Sequence, residues 1–229
     1  MKVINLFVLL FLLSSCAAKK IPLSEIHTLV PVELYENTDD FLNKKVMQAD
    51  LGILIKDQSD QHITTKGIYD LKTGEKSKKG ASAWVMKYNN ENYFNLGYST
   101  DTNHWGTFAK MDIEGRYCAI IISDDSPHVL KSTSSHYGGG IAGALIADSR
   151  KWGKGWQDKN GAKKRLLLID TEITFDKTVG RNKGSLGNYL TRRNLKKIIQ
   201  ESGLNVTDER VKDIEFEKIL EIIETANQH

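Results

Sequence analysis

With 32 basic residues against 29 acidic ones in 229, the chain carries a formal charge of only +3, too even a balance to point to nucleic acid. The length suffices for one domain with a sizeable core. Beyond the first thirteen residues, no stretch approaches the roughly 18 apolar residues that a membrane-spanning helix needs.

The chain opens Met1-Lys2 and continues with an apolar run, 3–13, in which only Asn5 is polar. As a helix that run would span about 16 Å, roughly half of a hydrocarbon core. A basic start, a short apolar stretch and small residues at the exit are the layout of a secretory signal. The exit, Leu13-Ser14-Ser15-Cys16, resembles the lipobox of bacterial lipoproteins. That resemblance implies a signal peptide over 1–15 that is cut away and a diacylglycerated thiol and acylated amine on Cys16. It also implies a membrane held through lipid. One acyl chain binds only marginally, whereas several chains on one residue hold a protein to its bilayer. Loss of the leader removes Lys2 and no acid, leaving 31 basic residues against 29 acidic and a charge of +2. With Cys16 lipidated, Cys118 is the one remaining thiol, and its apolar setting in 117–122 reads as a buried, inert cysteine.

Residues 16–30, with two Lys and Pro22 and little periodicity, read as a lipidated tether, and 31–229 as a single domain. Leu42, Val46, Ala49 and Ile53 at three- and four-residue spacing predict a helix within 39–55. The polar, glycine-bearing stretch 57–80 reads as loop, with at most a short strand at 67–71. Strands are predicted over 81–88 and 92–98, paired around Asn89-Asn90-Glu91, and over 105–113 and 116–123, paired around Glu114-Gly115. A further strand is expected over 165–175. Thr191 and Gly203 frame a helix with Leu195, Ile198 and Ile199 on one face, and Thr207 is a candidate cap for a second helix carrying Phe216, Ile219, Leu220 and Ile223. Strands first and helices last predict an α+β fold, an antiparallel sheet of about five strands covered by C-terminal helices.

Two segments stand out as contacts for a partner or a membrane. Gly139, Gly143 and Ala147 place small residues at four-residue spacing, a strip where another helix can approach closely. The strip resembles the glycine-zipper segments of some envelope lipoproteins, and packing within this protein is the alternative. Gly138, Gly140 and Gly143 also fit G-x-G-x-x-G, but a polar run precedes them where a strand belongs. Downstream, Trp152 and Trp156 alternate with Arg150, Lys151 and Lys154, a mixture suited to an interface, to glycan stacking or to a solvated loop. Arg192, Arg193, Lys196 and Lys197 read as a solvated face or a polyanion contact.

Catalytic signals are thin. The six His show no H-E-x-x-H spacing, so no metal ligand is assigned, and no cofactor motif is found. Ser134 or Ser135 with His136 and Asp148 supplies the residue types of a nucleophilic site without evident geometry, and Asp124-Asp125 reads as a turn. The runs 105–123 and 188–199 are similar to uncharacterised lipoproteins and secreted proteins of Gram-negative bacteria. In such lipoproteins Ala17 after the lipid-bearing Cys, where Asp retains a protein at the inner membrane, implies the outer membrane. Lys19-Lys20 implies the periplasm-facing leaflet. The expected role is non-enzymatic binding or assembly with an envelope protein partner. The alternatives are an envelope hydrolase and a lipid- or glycan-binding module.

Overall fold

β4 (Val85–Tyr88) and β5 (Glu91–Asn95) set the architecture, because each buries side chains on both of its faces, Met86 and Tyr93 on one and Val85 and Phe94 on the other. They form the hairpin expected around Asn89-Asn90, which turns with φ of 50° and 63°, the left-handed pair of a tight two-residue turn. The computed structural model describes residues 20–78, 80–102, 104–131, 155–176, 183–204 and 214–228. In it, β4 and β5 join β1 (Val30–Tyr35), β2 (Leu51–Gln58), β3 (His62–Asp70) and β6 (Thr107–Lys110) in a closed antiparallel barrel of order β1-β2-β3-β6-β5-β4. Closure leaves the barrel without an edge.

The second sheet has the order β10-β9-β7, built from β7 (Tyr117–Ser123), β9 (Lys163–Asp176) and β10 (Lys183–Tyr189), with the two-residue β8 (Trp156–Gln157) pairing β9. Both faces of this sheet are buried, as the alternation of side chains dictates. Cys118, Ile120, Ile122, Leu167 and Ile169 meet the outside of the barrel at Trp84, Val85, Phe94 and Ala109. Tyr117, Ala119, Leu166 and Leu168 meet Leu195, Ile198 and Ile199 of one helix and Ile219, Ile222 and Ile223 of another. Those two helices are α3 (Arg192–Glu201) and α4 (Phe216–Ala226); the short α1 (Thr38–Leu42) and α2 (His128–Lys131) precede them in the chain. A third cluster, with Leu34, Ile53, Ile63, Met86 and Phe108, fills the barrel.

The expected α+β fold, one antiparallel sheet of about five strands covered by C-terminal helices, is therefore corrected to a mostly-β architecture, a six-stranded closed barrel with a second, smaller sheet packed against it and only a few short helices. One reason is the fate of the predicted 105–123 hairpin. Beyond Gly115, with φ of 150°, the side chain of Asn227 accepts the Tyr117 N–H at 2.7 Å and donates to the Tyr117 carbonyl at 3.0 Å. Of that hairpin only the bridge between Ile113 and Ala119 survives; β6 pairs β3 and β5 in the barrel, and β7 pairs β9 along its opposite edge. The helix expected in 39–55 stops at Leu42. Lys44 and Asp50 adopt positive φ, and Leu42 and Val46 are exposed, so their spacing marks no buried face. The stretch read as loop contains the nine-residue β3, where Gly67 gives room for the Tyr69 ring folded over it. Thr191 does cap α3, accepting the Asn194 N–H at 3.2 Å, and Gly203 closes it at φ of 65°. Thr207 lies outside the described residues, and α4 starts at Phe216.

Candidate functional site

Polar side chains converge where β10 meets the start of α3. Leu190 and Thr191 carry the chain from strand to helix, so Asn188 and Tyr189 at the strand's end face Asn194 in the first helical turn. A cavity of about 340 Å³ opens there, lined among others by Asp101, Arg165, Tyr189 and Thr191. Arg165 extends from β9, is 5% exposed, and lays its guanidinium 4.9 Å from the centre of the Tyr189 ring. Burying a guanidinium is costly unless charge, ring face or hydrogen bonds replace water. Asp101 accepts the Tyr189 N–H at 2.7 Å, and the Thr100 hydroxyl donates to the Asn188 side-chain oxygen.

A second cavity, of about 210 Å³, shares Asn188 and Asn194 with the first and runs along the other flank of α3. Its floor is apolar, from Leu168, Leu186, Ile198 and the exposed Ile173. Beside it lies an ionic network centred on Arg116, which reaches Glu172 at 3.1 Å, Glu201 at 3.4 Å and Asp170 at 4.0 Å. The Tyr117 hydroxyl donates to Glu201 at 3.2 Å, and burial is the main cause that pushes this phenol up to about 12. Burial likewise holds the Asp170 carboxyl above the usual carboxylate range. Together the cavities make a groove with a guanidinium, amides and hydroxyls at one end and an apolar floor rimmed by charge at the other. Such a lining recognises a ligand that has hydrogen-bonding groups and an apolar or ring face.

Both edges of the second sheet are occupied beside this groove. Ser99 bridges Gly187, and Thr100 N–H donates to the Gly187 carbonyl at 3.1 Å. On the β7 side, Asp112 N–H donates to the Ala119 carbonyl, and the Asp112 carboxylate accepts the Ile121 N–H. Recognition at the groove therefore runs through side chains and not through an added strand at these positions.

Cys16, Gly139, Gly143, Ala147 and Trp152 lie outside the described residues, as do Ser134, Ser135, His136 and Asp148. Trp156 is corrected from a surface contact to core. It is 3% exposed and packs with Leu166 and Leu168, because pairing with Lys164 turns its ring under the helices. Among the described residues the exposed tryptophan is Trp105, 53% accessible and lying flat over Gly97, where any side chain would collide with the indole. Asp124-Asp125 forms a turn: Ser123 donates to the Asp125 carboxylate, a bond that holds this carboxyl below its usual range.

His62, isolated in sequence, is not isolated in the fold. Its Nδ1 sits 2.7 Å from Ser59 Oγ, and its Nε2 sits 3.2 Å from Asp57. These are the residue types of a nucleophilic triad, but Ser59 Oγ also accepts the N–H groups of Gln61 and His62 at 3.2 and 3.3 Å. With its lone pairs spent on the backbone, this hydroxyl staples the β2–β3 turn and is not poised to attack. Among the described residues, no group of three or more His, Cys, Asp or Glu is placed to hold a metal ion. Comparison with protein-family models, curated proteins and solved structures finds no match to this chain. The groove residues carry no motif, and only their position at a strand-to-helix junction could have drawn attention to them.

Proposed function

We propose that this protein is a lipid-anchored component of the bacterial envelope, held at the outer membrane through Cys16 and facing the periplasm, whose body binds an envelope partner. The observation that carries the anchor is the sequence Leu13-Ser14-Ser15-Cys16 behind a basic, apolar leader. The binding role is supported by the groove at β10 and α3. Its lining of amides, hydroxyls and a ring-stacked guanidinium recognises polar groups, and its apolar floor adds contact area.

Two measurements test the two halves of this reading. Cells fed radiolabelled palmitate should label the full-length protein, and Cys16→Ala should abolish both the label and recovery with membranes. An unlabelled wild type, or a Cys16→Ala protein that stays with membranes, would sink the anchor. In-cell crosslinking followed by mass spectrometry should then recover one dominant protein with links mapping to the groove or to 138–152. Asn188→Ala with Asn194→Ala should cut that recovery several-fold while the fold persists. Undiminished recovery would remove the groove from the interface.

A further inference from the structure

An irregularity in the second sheet shapes the smaller cavity. Residues 170–173 of β9 stand opposite the single Leu186 of β10, because the register shifts between Ser185 and Gly187. Such a bulge re-aims side chains, and here Asp170 and Ile173 both come to line the cavity of about 210 Å³ beside α3. The Asp170 side chain is 17% exposed. One of its oxygens accepts the Glu172 N–H at 3.1 Å and lies 4.0 Å from the Arg116 guanidinium, beyond hydrogen-bonding reach. Among the described residues, no hydrogen bond or ion pair reaches its other oxygen. The neighbouring cations are closer to other acids. Arg116 reaches Glu172 at 3.1 Å and Glu201 at 3.4 Å, and Lys197 pairs with Glu201 at 3.4 Å. A carboxylate drawn out of water without full replacement of its partners is unfavourable, and burial is the first cause that holds this carboxyl above its usual range.

The cavity therefore favours a cation at its rim, and its floor selects among cations. Leu168, Leu186, Ile198 and Ile173 line it with hydrocarbon, and Ile173 is 46% exposed. A lysine lays a four-carbon stem along such a floor and ends in a compact ammonium. Arginine matches it less well. A guanidinium grips a carboxylate as a two-pronged fork, whereas Asp170 offers one oxygen and commits the other to Glu172. The charge of the described residues agrees. Asp170 and Glu201 against Lys197 leave a net charge of −1 on the lining, and Arg116 and Glu172 beside it cancel. Arg193, one turn before Lys197 on α3, does not line the cavity.

We infer that the cavity between the β9 bulge and α3 receives a lysine side chain of the partner protein, its stem on Leu168, Ile173 and Ile198 and its ammonium at Asp170. This rests on the groove as the partner's binding site, and the experiment separates the two. Isotope-labelled full-length protein in detergent micelles is titrated with three capped pentapeptides, four alanines around a central lysine, norleucine or arginine, and amide shifts are followed by NMR. The lysine peptide should shift amides within 168–173 and 194–201 and bind several-fold tighter than the other two. Asp170→Asn, which keeps an acceptor for the Glu172 N–H, should bring the lysine peptide down to the norleucine level. Ile173→Ala, at an exposed position, should weaken the lysine and norleucine peptides alike. Equal binding of lysine and norleucine, tighter binding of arginine, or a lysine preference that survives Asp170→Asn would each overturn the assignment. So would the absence of any binding, which would leave the groove's partner to the crosslinking measurement. In cells, Asp170→Asn should cut crosslinked recovery of the partner several-fold. A lysine preference in the peptides with undiminished recovery from Asp170→Asn cells would overturn the partner's use of this cavity.

Discussion

Cys118 is buried among Ile120, Ile122 and the barrel wall, and its thiol donates to the Gly115 carbonyl at 3.3 Å. Burial is the dominant cause that moves it from an ordinary 9 to about 11. The unfolded chain ionises first, so this thiol's contribution to stability is complete below pH 9 and is lost as pH rises towards 11. The loss is on the order of 2–3 kcal/mol. Chemical denaturation at pH 8 and pH 10.5 should show the drop, and Cys118→Ala should reduce it, the remainder coming from Tyr35, Tyr93 and Tyr117, whose phenols are also pushed up to about 12. In the folded protein at pH 8 a thiol reagent should leave Cys118 unmodified, and rapid modification would contradict its burial. His104 bounds stability on the acid side. Burial, and then the neighbouring His128, lowers its imidazole below the ordinary value of 6.5. The unfolded chain therefore protonates first as pH falls, and stability declines below pH 6.5. His104→Gln should remove part of that decline in acid denaturation, and an unchanged acid limb would show that other groups govern it.

At the scale of elements, the junction between barrel and second sheet depends on a few fully buried polar atoms. The Thr38 hydroxyl accepts the Ser185 N–H at 2.9 Å, and Trp84 donates its indole N–H to the Ser185 carbonyl at 2.8 Å. Gly184 lies where an added methyl would stand 2.5 Å from the Trp84 ring. Thr38→Val keeps the volume but leaves the Ser185 N–H unsatisfied, and should cost about 1–3 kcal/mol. Gly184→Ala forces the buried indole aside at a similar cost of about 1–3 kcal/mol. Both are read from urea midpoints, and wild-type stability in either would mean that the junction yields. None of these long-range contacts was legible in the sequence. What was legible is local: the Asn89-Asn90 turn, the β9 strand, and α3 between Thr191 and Gly203 are each specified by residues within a few positions of one another. Barrel closure depends on β1 meeting β4, more than fifty residues on. Sequence spacing at 39–55 misled for the same reason, since exposed Leu42 and Val46 mimic a helical stripe that the fold does not bury.

At the scale of the molecule, burial of the second sheet on both faces ties the groove to the barrel. β7 and β9 send alternate side chains to the barrel wall and to α3 and α4. Anything that loosens the barrel wall should therefore loosen the floor of the groove, while the tip of the β2–β3 turn is remote from it. Phe94 sits at this crossing, fully buried with its ring edge-on to Trp84 at 5.7 Å and in contact with the Gly187 site on β10. Phe94→Leu should destabilise the whole protein by about 1–2 kcal/mol, as core substitutions that lose volume do. It should also raise amide exchange at 186–190 along with that of the barrel. His62→Gln, which breaks the turn staple at Ser59 and Asp57, should speed exchange near 57–62 and leave 186–190 at the wild-type rate. Hydrogen exchange of the two variants separates the cases. If Phe94→Leu loosened the barrel alone, the second sheet would be a separately folding unit, and the groove would owe its geometry to the helices instead of the barrel.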